Sequence, residues 1–160
     1  EPDLIDDVFE LDSINDNSVD LIYCCHVLEH AERQEAKDAM KRWFDVLKPG
    51  GTLRLSVPDL EAVFKYYMCY GDLKILECFL YGSQKHHYDF HRTGWDFKSI
   101  KRDLGEAGFS SVDKYDWRDT EHFYIDDYSQ CYLPEFSYSS RKKGSEVKGK
   151  LMSLNIEAIK

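Results

Sequence analysis

An α/β fold is predicted by three observations. Val19 to Cys25 (VDLIYCC) is a short, mostly apolar run, the pattern of a strand buried on both faces of a parallel sheet. Ala36, Ala39, Met40, Trp43, Phe44 and Leu47 recur at three-and-four spacing, which predicts one apolar face of a helix from about Arg33 to Leu47. Lys48-Pro49-Gly50-Gly51 stops that helix, because proline cannot continue it and glycine accepts the left-handed turn; Thr52 to Val57 (TLRLSV) then reads as a second strand. Strand, helix and strand with short connections predict a right-handed parallel crossover.

The flanking chain follows in order. Leu4, Ile5, Val8, Phe9 and Leu11 within Glu1 to Ile14 suggest one short strand and a turn, and Asn15 to Ser18 a further turn in which side chains satisfy the backbone locally. Asp59 is placed to cap a helix to about Tyr70, with Leu60, Val63, Phe64, Tyr67 and Met68 as its expected apolar face. Asp72 to Tyr81 reads as another short helix, and Gly82 to Gly94 as a polar, aromatic loop. Asp96 opens a helix with Phe97, Ile100, Leu104 and Ala107 on one face, closed by Gly108. Ser111 to Trp117 and Leu151 to Ile159 are expected strands. Residues 118–149 form a long insertion between them, acidic and aromatic at first and basic from Arg141 to Lys150.

A length of 160 residues suits one domain, 1–160, around one core, and 42% hydrophobic content fits a globular chain. The net charge of −9 opposes both nucleic acid and an anionic membrane surface as partners. No apolar run is long enough to span a bilayer, and the acidic start carries no signal-peptide pattern, so a cytoplasmic location is expected. Cys24, Cys25, Cys69, Cys78 and Cys131 show no paired spacing and read as reduced core thiols.

With these elements placed, the chain resembles the class I S-adenosylmethionine (SAM)-dependent methyltransferases, in particular a branch of small bacterial predicted methyltransferases. The resemblance is carried by DNSVDLIYCCHVLEH (Asp16 to His30), RWFDVLKPGG (Arg42 to Gly51), LRLSVPDLE (Leu53 to Glu61), EAGF (Glu106 to Phe109) and SLNIEAIK (Ser153 to Lys160). It implies a Rossmann-like, mostly parallel sheet with family order 3-2-1-4-5-7-6 and an antiparallel last strand. Val19–Cys25 would then be the fourth strand, Thr52–Val57 the fifth, Ser111–Trp117 the sixth and Leu151–Ile159 the seventh. Glu1–Phe9 would approach or contain the third. The family's first strand ends in a GxGxG loop against the cofactor, and its second in an acid that binds the ribose. This chain has neither, since its first glycine is Gly50. The expectation is therefore an N-terminally truncated fold, the C-terminal three-quarters of the family domain, short of about 40 residues on the basis of a ~30-residue strand-helix-strand unit. Without the missing first strand, Val19–Cys25 becomes an exposed apolar edge. Either Glu1–Phe9 covers it or two chains pair there, and a homodimer through this edge is expected.

The resemblance also assigns candidate sites. Asp7 and Val8 match the family's contact to adenine, beside the plain reading of Asp7 as a solvated turn acid, with Asp6 and Asp12 as rival positions. Cys25, His26 and Val27 would line the methionine side of SAM, because ligands bind beyond the carboxyl ends of strands in open α/β sheets. Glu29 and His30 read as helix-bracing residues. His91, ahead of Gly94-Trp95-Asp96, is the first candidate base and His87 the second, since histidine titrates near neutral pH; a bracing or surface role is the alternative for each. Tyr88, Tyr124, Asp126, Asp127, Tyr128 and Tyr132 are the expected substrate-facing groups, suited to a polar ring such as a sugar. Ordinary packing of an aromatic insertion explains Tyr124 to Tyr132 equally well. His86, His87 and His91 with Asp89 lack a paired ligand spacing such as HExxH, so no metal site is expected. CCHV stands where base-modifying enzymes of this fold carry an Asn/Asp-Pro-Pro-aromatic tetrapeptide, which argues against that class.

Two functions are expected from these residues: methyl transfer from SAM to a small polar acceptor, impaired in this chain, or a non-catalytic methyltransferase-like module. Two charge-assisted hydrogen bonds lost with the glycine loop and the ribose acid, at about 1.5–3 kcal/mol each, lower SAM affinity by on the order of 10²–10⁴. Titration calorimetry of this chain with SAM is expected to show weak or no binding; a micromolar Kd would refute the expectation.

Overall fold

Residues 3–133 and 149–160 are described by a computed structural model. The order of elements is β1 (Val19–Cys25), α1 (Arg33–Val46), β2 (Leu47–Pro58), α2 (Leu60–Tyr70), α3 (Leu73–Tyr81), α4 (Phe97–Ala107), β3 (Ser111–Lys114), β4 (Tyr132–Leu133), β5 (Lys150–Leu151) and β6 (Ser153–Ile159). The main sheet has the order β1-β2-β6-β3, with β1 and β2 parallel and β6 antiparallel to both of its neighbours. Three of four strands thus point one way, in the 4-5-7-6 arrangement anticipated from the sequence. Among the described residues no strand pairs with the outer edge of β1, the edge on which the dimer expectation rests.

Helix α1 forms where its apolar period predicts. Glu32 and Glu35 close a reciprocal capping box at its start. Ala36, Ala39, Met40, Trp43 and Val46 are buried beneath it. The helix gives way to strand one residue earlier than expected, because Leu47 already pairs with Val19. The register then jumps to Leu21 opposite Thr52, so Lys48 to Gly51 loop out across from Asp20. Helix α4 lies beside α1. Its closing residue, Gly108, has φ +119°, and a Cβ there would fall 2.9 Å from the ring of Phe44 on α1. Close approach and a left-handed turn both require glycine at this point.

The strand expected near Glu1–Phe9 is absent from residues 3–18. Local acids take its backbone donors instead: Asp6 accepts from Ser13 N–H at 2.8 Å and Asp7 from Phe9 N–H at 2.8 Å. Arg42 donates to the carbonyls of Glu10, Leu11 and Ile14, and Trp43 Nε1 donates to that of Val8 at 2.8 Å. This segment is pinned to α1 rather than added to the sheet. Strand β3 stops at Lys114, since Asp116 turns the chain by accepting from Arg118 N–H. The expected closing strand is split at buried Met152, whose N–H donates to Cys131 and whose carbonyl accepts from Asp59 N–H, each at 2.8 Å. The expected insertion is a loop with short turns over 118–131 and a strand, β4, while 134–148 lie outside the described residues.

Two apolar clusters result. The larger joins the sheet to α1 and α4; the smaller gathers Ala62, Val63, Tyr66, Leu76, Phe79, Cys131, Leu133 and Met152. The face of α2 differs from expectation: Ala62, Val63 and Tyr66 are inside, while Phe64, Tyr67 and Met68 face water. No helix of the described residues is long and apolar enough to cross a membrane.

Trp43 is fully buried in the larger cluster and carries the bond to Val8. Trp43→Ala is expected to cost about 3–5 kcal/mol and to loosen residues 3–14, read by denaturant unfolding and by faster amide exchange in that segment.

Candidate functional site

Parallel β1 and β2 end together, with Cys25 opposite Ser56, so the residues after Cys25 project beyond the carboxyl edge of the sheet. His26 sits there at φ +52°, a left-handed conformation that is costly for a residue with a Cβ. Its N–H is held by the Ser56 carbonyl at 2.8 Å. Antiparallel β6 begins at this same end, opposite Pro58, and brings in Ser153 and Asn155.

A buried hydrogen-bond chain places a proton on His26 Nε2. Asn155 Nδ2 donates to the Ser129 carbonyl at 2.9 Å, so its Oδ1 is the acceptor that faces Ser153. Ser153 Oγ donates to that oxygen at 2.9 Å. A hydroxyl has one proton, so Ser153 Oγ accepts from His26 Nε2–H at 3.0 Å. The other ring nitrogen, Nδ1, lies 3.3 Å from Glu29 Oε1.

Tyr23 and Cys25 lie two apart on β1 and face the insertion. Tyr23 O–H donates to Asp127 Oδ2 at 2.6 Å, and Ser129 N–H donates to Asp127 Oδ1 at 2.8 Å. Burial works to raise the Asp127 pKa, but the bonds from Ser129 and Tyr23 outweigh it and hold the carboxyl below the usual range. Burial, then the bond to Asp127, pushes the Tyr23 phenol well up. Burial raises the Cys25 thiol and lifts Cys24 to about 12, so neither is a thiolate at neutral pH. Arg54 on β2 donates to Glu157 on β6 at 2.9 Å and to Glu121 in the insertion at 2.6 Å. The Tyr23 and His122 rings stand 4.1 Å apart, and those of His26 and Tyr128 5.5 Å apart.

A second group lies just past His26. Glu29, in the turn Leu28–His30, is 0% exposed, and neither carboxylate oxygen has a hydrogen-bond partner. Its backbone carbonyl accepts from Arg92 N–H at 2.8 Å and Thr93 N–H at 3.2 Å, which fastens the 82–94 loop to this turn. Gly82 allows that loop to fold: its φ is +75°, and a Cβ would lie 2.1 Å from the Asp89 carbonyl oxygen. His91 Nδ1 faces the Phe79 carbonyl at 3.0 Å, and its Nε2 is 3.9 Å from Glu29 Oε1. His30 Nδ1 faces the Phe90 carbonyl at 3.1 Å. Burial lowers the His91 pKa, so the ring is neutral at pH 7.

The structure thus brings together Cys25, His26, Asp127 and Tyr128 from the sequence-derived set, with partly buried Val27 packed on the main core. Asp7 and Val8 lie against α1, their bonds made to Phe9 and Trp43. His87 and Tyr88 are exposed at the loop tip with rings 5.3 Å apart, Tyr124 and Asp126 are exposed, and Tyr132 accepts from Trp117 at 3.3 Å. His91 is turned inward to Glu29. Sequence reasoning did not single out Tyr23, Ser129, Ser153 or Asn155, and it read Glu29 as a brace. The available signal was the alternation of polar Ser153, Asn155 and Glu157 with apolar residues along one strand.

A family model described as a methyltransferase domain matches residues 3–55. No curated protein matches the sequence. A SAM-dependent methyltransferase from Archaeoglobus fulgidus is similar over 98% of this chain and 66% of its own, with 14% identity and a TM-score of 0.57. One from Thermotoga maritima is similar over 96% of this chain and 61% of its own, with 16% identity and a TM-score of 0.53. The apo form of the SAM-dependent methyltransferase SibL is similar over 97% and 34%, with 13% identity and a TM-score of 0.55. The fold is that of the class I SAM-dependent methyltransferases, and the chain spans less than two thirds of the length of each of these proteins.

Tyr23→Phe removes one donor from Asp127 and keeps the ring. The expected loss at neutral pH is about 1.5 kcal/mol, the lower end for a bond to a charged group, because Asp127 is only partly buried. A depressed carboxylate pKa contributes stability above the unfolded value of 3.8 that is lost as pH falls through the folded value. The difference between variant and wild type therefore shrinks below about pH 4; urea unfolding at pH 7 and pH 3 checks this, and equal differences at both would exclude the charged bond.

Proposed function

We propose that this chain forms part of a SAM-dependent methyl-transfer site for a small polar acceptor. The observation that carries the proposal is the polar group at the carboxyl ends of β1 and β2, with His26 in a strained backbone conformation at its centre, in a sheet of order β1-β2-β6-β3. The residues fit one side of the cofactor. Cys25, His26 and Val27 are proposed to meet its methionine part, and Asp7 and Val8 its adenine. They provide no glycine cradle: Gly50 and Gly51 lie at the amino end of the β2 pairing, away from His26. When bound, SAM supplies an electrophilic sulfonium methyl.

The chain's own contribution in this reading is alignment. A polar acceptor lies against Tyr128 and Asp127, its oxygen or nitrogen directed at the methyl for in-line displacement. Asp127, held ionised by Tyr23 and Ser129, accepts a hydrogen bond from an acceptor hydroxyl and orients it. Exposed aromatic rings of the insertion suit a sugar-like ring. A non-catalytic methyltransferase-like module is the second reading.

The test is transfer of labelled methyl from SAM to a panel of small hydroxyl and amine compounds, run with this chain and with the complete product of its gene. Label in a small acceptor, reduced at least tenfold by Asp127→Asn, is the expected result. Failure of both forms to bind SAM would overturn the proposal and leave the non-catalytic reading.

A further inference from the structure

We infer that Glu29, His30 and His91 form a binding site for one divalent transition-metal cation of the zinc type. A carboxylate oxygen of Glu29 and one ring nitrogen from each histidine lie within 4.8 Å of one another. Nothing in the methyl-transfer reading requires this site, and it stands or falls separately.

The electrostatics of Glu29 carry the inference. Its carboxylate is fully buried, and neither oxygen receives a hydrogen bond. An ionised carboxylate without donors is among the costliest groups to bury. Two ring nitrogens stand beside it, His26 Nδ1 at 3.3 Å and His91 Nε2 at 3.9 Å. The Phe79 carbonyl accepts from His91 Nδ1–H at 3.0 Å, which leaves the lone pair on Nε2. The Asn155–Ser153 chain takes the proton of His26 Nε2, so Nδ1 is the ring nitrogen turned to Glu29. His30 gives Nδ1–H to the Phe90 carbonyl at 3.1 Å and keeps a free Nε2. Ring nitrogens of these histidines thus gather around a buried carboxyl group that has no hydrogen-bond partner. A cation among these atoms gives Glu29 a partner and gains a set of ligand bonds.

The surroundings have the form of a metal site. Ligating histidines characteristically donate their second nitrogen to a backbone carbonyl, which sets tautomer and ring orientation, and His30 and His91 both do so. The backbone is held as well, since Arg92 and Thr93 N–H bind the Glu29 carbonyl and so fix the loop bearing His91 to the turn bearing Glu29 and His30. Ligand bonds of about 2.0–2.2 Å place donor pairs roughly 3.3–3.6 Å apart around a tetrahedral ion, so side-chain shifts of about 1 Å complete the site. Two imidazoles with one carboxylate favour zinc-like ions over magnesium or calcium, which take oxygen ligands. Water or His26 Nδ1 fills the fourth position.

The alternative occupant is a proton, making one histidine an imidazolium against Glu29. Cobalt(II) titration of chelator-treated protein separates the two, because a tetrahedral cobalt site absorbs visible light. One equivalent per chain is expected, displaced by zinc. His91→Ala and His30→Ala are each expected to weaken binding at least a hundredfold with unchanged circular dichroism, while His86→Ala at the exposed loop tip binds as wild type. Zinc is expected to raise the unfolding temperature of the wild type and not of His91→Ala. Absence of the cobalt spectrum from folded wild-type protein, or equal affinity in folded His30→Ala, would overturn the inference in favour of the proton.

Discussion

Parallel pairing of β1 with β2 is the constraint on which the other features depend. Pairing of these two strands places Cys25 level with Ser56 and leaves α1 to cover the connection between them. The helix must then bury a face wide enough to reach the sheet, and Ala36, Ala39, Met40, Trp43 and Val46 supply it. Trp43 does double service, since its ring fills the core and its indole nitrogen anchors the segment before β1. β6 enters antiparallel to β2, so its first residues arrive where β2 ends. That single reversal delivers Ser153 and Asn155 to the histidine beyond β1. A parallel strand in the same place would deliver its last residues instead.

Polar groups at this end of the sheet are ordered by proton supply. Asn155, Ser153 and His26 form a directed chain that fixes the amide orientation of Asn155 and places a proton on His26 Nε2. Tyr23 and Ser129 keep Asp127 ionised, while burial keeps the neighbouring thiols protonated. Networks of this kind are rigid when satisfied. The Glu29 side chain is not satisfied, and it sits where the 82–94 loop is fastened to the turn after β1.

Much of the fold was legible from the chain alone, because its signals were redundant. α1 carried an apolar period, α2 an Asp59 cap and α4 an Asp96 cap with a terminal glycine, and each agreed with its neighbours. The same sequence misled where local chemistry competed with pattern. Val8, Phe9 and Leu11 suggested a strand, but Asp6 and Asp7 satisfy the backbone of that segment before a ladder can. The face of α2 was misassigned because its periodicity is ambiguous: apolar residues occur nearly all round it. The residues it packs on, Leu76 of the next helix and the distant Cys131, Leu133 and Met152, select Ala62, Val63 and Tyr66. For the site, His26 was legible from its place after an apolar strand. Glu29 was not, since a glutamate beside a helix start reads as a cap until its burial is known.

By itself the sequence determined the α/β class, the order of the elements and the end of the sheet at which polar residues collect. These follow from short-range facts: apolar period, caps, and glycine and proline stops. Only the tertiary structure decided which of those residues meet. Asp127 is 104 positions from Tyr23, and Ser153 is 127 from His26. No local pattern encodes a contact across such a span. It arises because β6 reverses direction beside β2 and the insertion folds back over β1. Protonation states, the burial of Glu29 and the inward turn of His91 follow from that packing.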